Sequence, residues 1–170
     1  MLLLILAAPF AAALLCLCAS GTDHRATLRL SLVLSLVVLG LALVPLFAPV
    51  SSMLVPWFGI YGTDATVALH LRTDGMSSWL VALTAALLPA ALLAGGSLHQ
   101  AQLRTVAVAG FCLVGSMIGA FLAADLVLFY LFFEAMLIPM VVLVALLGGA
   151  DGKAAALRFF LYTMFGSVFM

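Results

Sequence analysis

Charge is what this sequence has least of. Of its 170 residues, 7% are Asp, Glu, Lys or Arg, while 68% are hydrophobic and the mean hydropathy is +1.41. Soluble domains carry about 25% charged residues, so this chain cannot clothe a soluble surface, and a bilayer protein is the class that remains. Lys and Arg number six and so do Asp and Glu; with zero net charge and no basic run, a nucleic-acid partner is excluded. Cysteine is also scarce. Cys16, Cys18 and Cys112 lie inside apolar runs and match no zinc, haem or disulfide spacing, so they read as small hydrophobes and no metal is expected. No basic stretch precedes the first run, which therefore reads as a retained helix rather than a cleaved signal peptide. The faint lipoprotein-like Leu15-Cys16-Leu17-Cys18 fails for the same reason. A nucleotide loop, a catalytic triad and a cofactor box are all missing, so nothing points to a chain that is catalytic by itself.

What is present is a series of long apolar runs. A membrane-spanning helix needs about 20 mainly apolar residues. Leu2–Ala19, Leu28–Ala48, Met76–Ala94, Arg104–Ala123 and Leu126–Leu147 qualify, and a sixth run begins near Ala154 and continues to Met170. The expected fold is an all-α integral membrane protein, a polytopic bundle of about six transmembrane helices. As a helix the sixth run would reach only about 22 Å against a hydrocarbon core of about 30 Å, so the chain is expected to be a fragment or a truncated reading frame.

The connections differ in character. Ala123-Ala124-Asp125 is barely a turn and makes the fourth and fifth helices antiparallel neighbours. The longest, Pro49–Gly75, holds Pro56-Trp57, Gly59, Gly62 and a partly alternating Thr66–Arg72 stretch. That pattern suggests a short strand or hairpin at the membrane surface, with Trp57 and Tyr61 at the interface; a plain loop is the alternative. Arg25, Arg29, Arg104, Lys153 and Arg158 fall on one side of the alternating path, and Arg72 falls on the other with Asp64 and Asp74. By the positive-inside rule the odd-to-even loops are cytoplasmic and the N-terminus faces out.

Glu134 is the candidate for chemistry. It lies nine residues into the fifth run, about 13 Å deep, near the bilayer centre. Placing an acidic group there costs a few kcal/mol, so it either stays protonated or faces a partner cation or water. A neutral glutamic acid bonding a neighbouring helix is one reading; a proton site whose charge changes with its surroundings is the other, and depth favours it. Pro139 follows five residues on and leaves the carbonyl of Ala135 without its usual bond, loosening the backbone just past Glu134. Such a kink could admit water or serve packing alone. Gly110, Gly115 and Gly119 sit at spacings of five and four on the fourth run, and the GxxxG pair at 115 and 119 lets another helix approach closely.

Asp125 reads as an N-cap of the fifth helix, with assistance to a departing proton as the alternative, and Asp74 reads as a cap of the third. His24, His70 and His99 read as surface residues, since no second ligand stands at metal spacing. Lys153 and Arg158 read as snorkelling anchors at the inner interface, with a functional partnership open for Arg158.

The run DLVLFYLFFEAMLIPM (Asp125–Met140), followed by RFFLYTMFGSV (Arg158–Val168), resembles the fifth and sixth helices of subunit M of bacterial respiratory complex I, whose mitochondrial counterpart is chain four of NADH dehydrogenase. Asp74-Gly75-Met76-Ser77 with Leu83-Thr84 and Pro89 resembles the opening of that family's third helix, Met117–Phe121 also fits, and the runs and outer loop fall in the family's order. The resemblance implies a larger antiporter-like subunit with inverted repeats. Residues 1–123 would form helices one to four with the outer loop, and 124–170 the start of the proton-translocating domain. It implies that Glu134 is the family's proton-transfer glutamate, paired with a lysine on helix seven; Asp125 and Arg158 stand beside it as accessory candidates from their own positions. It further implies that this chain binds no cofactor, and that NADH, FMN, iron–sulfur clusters and quinone belong to partner subunits. Partners would be the other membrane-arm subunits and the lipid of a bacterial inner membrane. A subunit of a cation/proton antiporter or membrane-bound hydrogenase, or a scaffold that transports nothing, is the alternative.

Overall fold

Apolar runs that cannot leave their backbone polar groups unpaired in lipid must close them within the segment, and helices do so. The computed structural model describes residues 1–18, 23–47, 50–59 and 66–169, with backbone alone over 55–59 and 66–68. The expected runs appear as α1 (Leu2–Cys18), α2 (His24–Phe47), α3 (Gly75–Ala94) and α4 (Gln100–Leu122). The fifth run is divided into α5 (Leu126–Ala135) and α6 (Leu137–Leu147), and the sixth is α7 (Gly152–Val168). The fold is a helical, polytopic membrane protein. Among the described residues four segments are long and apolar enough to cross a membrane: His24–Phe47, Gly75–Ser97, Gln100–Leu122 and Leu126–Leu147. α1 is apolar but only 17 residues long.

Three starts differ from the sequence boundaries by two residues or more. α2 begins at His24 rather than Leu28, α4 at Gln100 rather than Arg104, and α7 at Gly152 rather than Ala154. Arg25, Arg29, Arg104 and Lys153 are thus within the first two turns of helices, because a long basic side chain can carry its charge to the interface while its backbone is already helical. At that end Arg104 donates from Nε to the carbonyl of Cys16, 3.3 Å away, and from its guanidinium to that of Leu17. A cation thereby closes the free carbonyls at the C-terminus of α1. His24 Nε2 stands 3.0 Å from the carbonyl oxygen of Leu98 and ties the start of α2 to the α3–α4 connection.

α4 is the centre of the bundle and touches α1, α2, α3, α5 and α6. Over half of its apolar window is buried (56%), against 17% for Leu126–Leu147, which leaves most of the α5–α6 span facing outward. Buried hydroxyls bond within their own helices: Ser31 to the carbonyl of Leu28, Ser35 to that of Leu32, and Thr84 to that of Leu80. Polar groups so satisfied can sit in an apolar bundle without a partner helix.

The connection between α2 and α3 folds as an antiparallel hairpin, β1 (Ser52–Gly59) and β2 (Thr66–Arg72), in the register Ser52 to Arg72 and Gly59 to Thr66. A bulge falls between Pro56 and Phe58, beside the proline that has no N–H for the ladder. The second strand is the stretch whose alternation suggested it. The expected interfacial positions of Trp57 and Tyr61 lie outside the described side chains. β2 continues onto the α4–α5 turn: Leu71 bridges Ala123, and the N–H of Ala124 donates to the carbonyl of His70 at 2.9 Å.

Candidate functional site

Glu134 is the penultimate residue of α5, and the helix is interrupted at Met136, two residues on. Pro139 supplies no N–H to the preceding turn, and the interruption falls in the turn it deprives. The N–H of Met136 still donates to the carbonyl of Phe132 at 3.2 Å, and the carbonyl of Met136 accepts from Met140 at 3.4 Å, so the interruption is slight. Glu134 is half-buried, at the seam where α5 meets the end of α7.

Its partner among the described residues is Ser167. The Ser167 hydroxyl lies in hydrogen-bond reach of Glu134 Oε1 and, at 2.9 Å, of the carbonyl of Met164 on its own helix. Ser167 is 5% exposed. Sequence reasoning missed it, although a serine in an otherwise apolar turn was a signal, since a hydroxyl held in a bilayer needs a hydrogen-bond partner.

The position of α5, and with it Glu134, is set by glycines on α4. A Cβ at Gly119 would stand 2.6 Å from Cγ of Phe132, one at Gly115 2.9 Å from the ring of Phe10, and one at Gly110 3.1 Å from Cδ1 of Leu88. Close approach is the role the sequence suggested. Each of the three glycines admits a side chain from a different helix, α5, α1 and α3 respectively, so the GxxxG pair does not form one seam.

Asp125 caps α5, its Oδ1 accepting from the N–H of Val127 at 3.0 Å. It follows directly on the Ala123-Ala124 turn held by β2. Arg158 is exposed on α7, nine residues before Ser167 and hence about 14 Å from it along the axis, so the fold does not bring it level with Glu134. Asp74 caps α3 in a reciprocal capping box with Ser77: Asp74 Oδ1 accepts from the N–H of Ser77 at 2.7 Å, and the N–H of Asp74 donates to Ser77 Oγ at 3.0 Å. The Ser77 N–H, then its hydroxyl, holds the Asp74 carboxyl below the usual carboxylate value. Among the described residues no group of three His, Cys, Asp or Glu could hold a metal, and the three cysteines are free.

Fold and site together define a polytopic helical membrane protein with a carboxyl group, Glu134, within the apolar span Leu126–Leu147. Residues 123–170 match the family described as NADH:quinone oxidoreductase/Mrp antiporter, TM. The chain is similar to NADH-quinone oxidoreductase subunit M of Rhodobacter capsulatus, with 44% identity over 106 residues, 61% of this chain and 20% of that protein. It is 41% identical over 100 residues to subunit M of Rickettsia felis, again 20% of that protein, with 59% of this chain aligned. NADH-ubiquinone oxidoreductase chain 4 of Mycosarcoma maydis is 38% identical over 103 residues, 60% of this chain and 21% of that one. The resemblance to the subunit M and chain 4 type is therefore shown, and the chain spans about a fifth of the length of these relatives. A chain from the structure of the membrane-bound sulfane sulfur reductase, an archaeal respiratory membrane complex, shares the fold with a TM-score of 0.66 at 19% identity, covering 97% of this chain and 25% of that one.

Proposed function

We propose that this chain is the antiporter-like, membrane-arm part of an NADH-quinone oxidoreductase, taking part in proton translocation coupled to NADH oxidation and quinone reduction in other subunits. The observation that carries the reading is Glu134, an ionisable group at mid-membrane depth, beside a helix break and against a buried hydroxyl. Carboxyl groups in such places are kept for work, since burying them costs several kcal/mol that an apolar residue would not. The subunit M relatives support the reading.

In the proposed mechanism Glu134 alternates between a carboxylate, stabilised when a cation approaches, and a carboxylic acid when that cation withdraws. Pro139 leaves the Ala135 carbonyl, next to Glu134, without its helical donor, and water can satisfy that group. Residues 124–170 form the start of the translocating unit and 1–123 its supporting helices; the family match beginning at residue 123 favours that division. Asp125 assists at the outer mouth. Arg158 serves as an inner-face anchor. The N-terminus faces outward from a bacterial inner membrane, and NADH, FMN, iron–sulfur clusters and quinone are held by partner subunits.

Glu134→Gln in the assembled complex is expected to abolish proton movement while leaving assembly and quinone reduction measurable. Unchanged proton-to-electron stoichiometry in that variant would overturn the reading. The second reading, a cation/proton antiporter subunit, is favoured by the Mrp antiporter half of the family description and would show as proton flux driven by sodium without NADH.

A further inference from the structure

Among the described residues Ser167 is the side chain hydrogen-bonded to Glu134, and nothing in the sequence alone assigns it a role. Two features make it more than packing. Its hydroxyl is buried, 5% exposed, so no bulk water competes for it. It also has two oxygens in reach, Oε1 of Glu134 and the Met164 carbonyl at 2.9 Å, while it owns only one proton to donate.

We propose that Ser167 is the positioning residue for Glu134, a hydroxyl that reverses its hydrogen bond when the carboxyl group gains or loses a proton. With Glu134 as carboxylate, the Ser167 O–H donates to Oε1. When Glu134 takes up a proton, its carboxyl O–H donates to Ser167 Oγ, and the Ser167 proton turns to the Met164 carbonyl. Glu134 gains one O–H bond from the proton it takes up, the Ser167 O–H bond stays intact throughout, and the direction of the hydrogen bond between them reverses. Both protonation states of Glu134 thus keep a partner, and the carboxyl stays fixed against α7 rather than swinging to a new one. A partner that could only donate would leave the acid's own proton without an acceptor, and buried donors without acceptors are costly. The function of the swap rests on the reading of Glu134 as a group that changes protonation; the hydrogen bond itself does not.

Glu134 is the sole glutamate in the sequence, so glutamate labelled with carbon-13 at its side-chain carboxyl reports on this residue alone. The test is infrared spectroscopy of the labelled full chain in lipid bilayers, at a pH where the acid form is populated. Ser167→Ala is expected to move the Glu134 carbonyl stretch to higher wavenumber, as loss of a hydrogen bond does, while Ser167→Thr keeps it at the wild-type position. A band unmoved by Ser167→Ala overturns the proposal. Should Ser167→Ala fail to insert, solid-state NMR on the wild-type chain, with serine also labelled at its side-chain carbon, decides instead. A Glu–Ser cross-peak that is lost in Ser167→Thr supports the pair, and no cross-peak overturns it. Loss of pumping in Glu134→Gln with an unmoved band in Ser167→Ala would reject the serine's part and leave the function standing.

Discussion

Phe132 of α5 lays its ring on Gly119 of α4 so closely that a Cβ at position 119 would stand 2.6 Å from both Cε1 and Cγ of that ring. Two residues beyond Phe132 is Glu134. The place where α5 can meet the bundle is therefore decided by a missing side chain on a different helix, and the carboxylate is carried along with it.

Gly119→Leu should accordingly displace α5 and cost about 1–3 kcal/mol, the range for overfilling a packed site. Pairing it with Phe132→Ala should recover part of that loss, because the smaller side chain vacates the space. Thermal unfolding of the single and double variants in detergent measures both. A Gly119→Leu protein as stable as wild type would contradict the contact.

Leu71 is fully buried where β2 bridges Ala123. Leu71→Ala should cost about 2 kcal/mol or more, as large-to-small changes at buried sites do. Its local signature should be faster hydrogen exchange at the amide of Ala124, which donates to the His70 carbonyl. Exchange at Ala124 that does not respond to the substitution would show that the hairpin does not hold the turn.

Asp74 gives a pH dependence with a defined sign. The Ser77 N–H and hydroxyl depress its carboxyl below the ordinary value near 3.8. A group depressed in the folded state contributes stability that is fully present above its unfolded value and is lost as pH falls through the folded one. Wild type should therefore lose thermal stability relative to Asp74→Asn below about pH 4, while the two run in parallel near neutrality because Asn also caps helices. Melting temperatures measured from pH 7 down to pH 3 would test this, and curves that stay parallel throughout would count against it.

Much of the fold was legible because the bilayer restricts what a sequence can do. Runs of about 20 apolar residues have few alternatives to helix in lipid, and the span Leu126–Leu147 and the strand Thr66–Arg72 fall at the expected boundaries. Capping by Asp74 and Asp125 was likewise local, since an N-cap needs only the next two or three residues. The starts of α2, α4 and α7 lie before the apolar runs because polar residues such as His24, Arg25, Gln100 and Lys153 extend each helix beyond its apolar stretch, and Arg and Lys reach the interface from inside a helix.

Composition and apolar length by themselves determined that this is a membrane protein, and the position of Glu134 within its run determined its depth, because both depend on the order of residues along one segment. Tertiary structure alone decided what stands beside that carboxylate. Ser167 is 33 residues away, Arg158 is left about 14 Å along α7 from Ser167, and the three glycines of α4 receive side chains from three different helices. Helix-to-helix contacts of that kind depend on how helices turn and cross against one another, which the spacing of residues within any one helix does not specify.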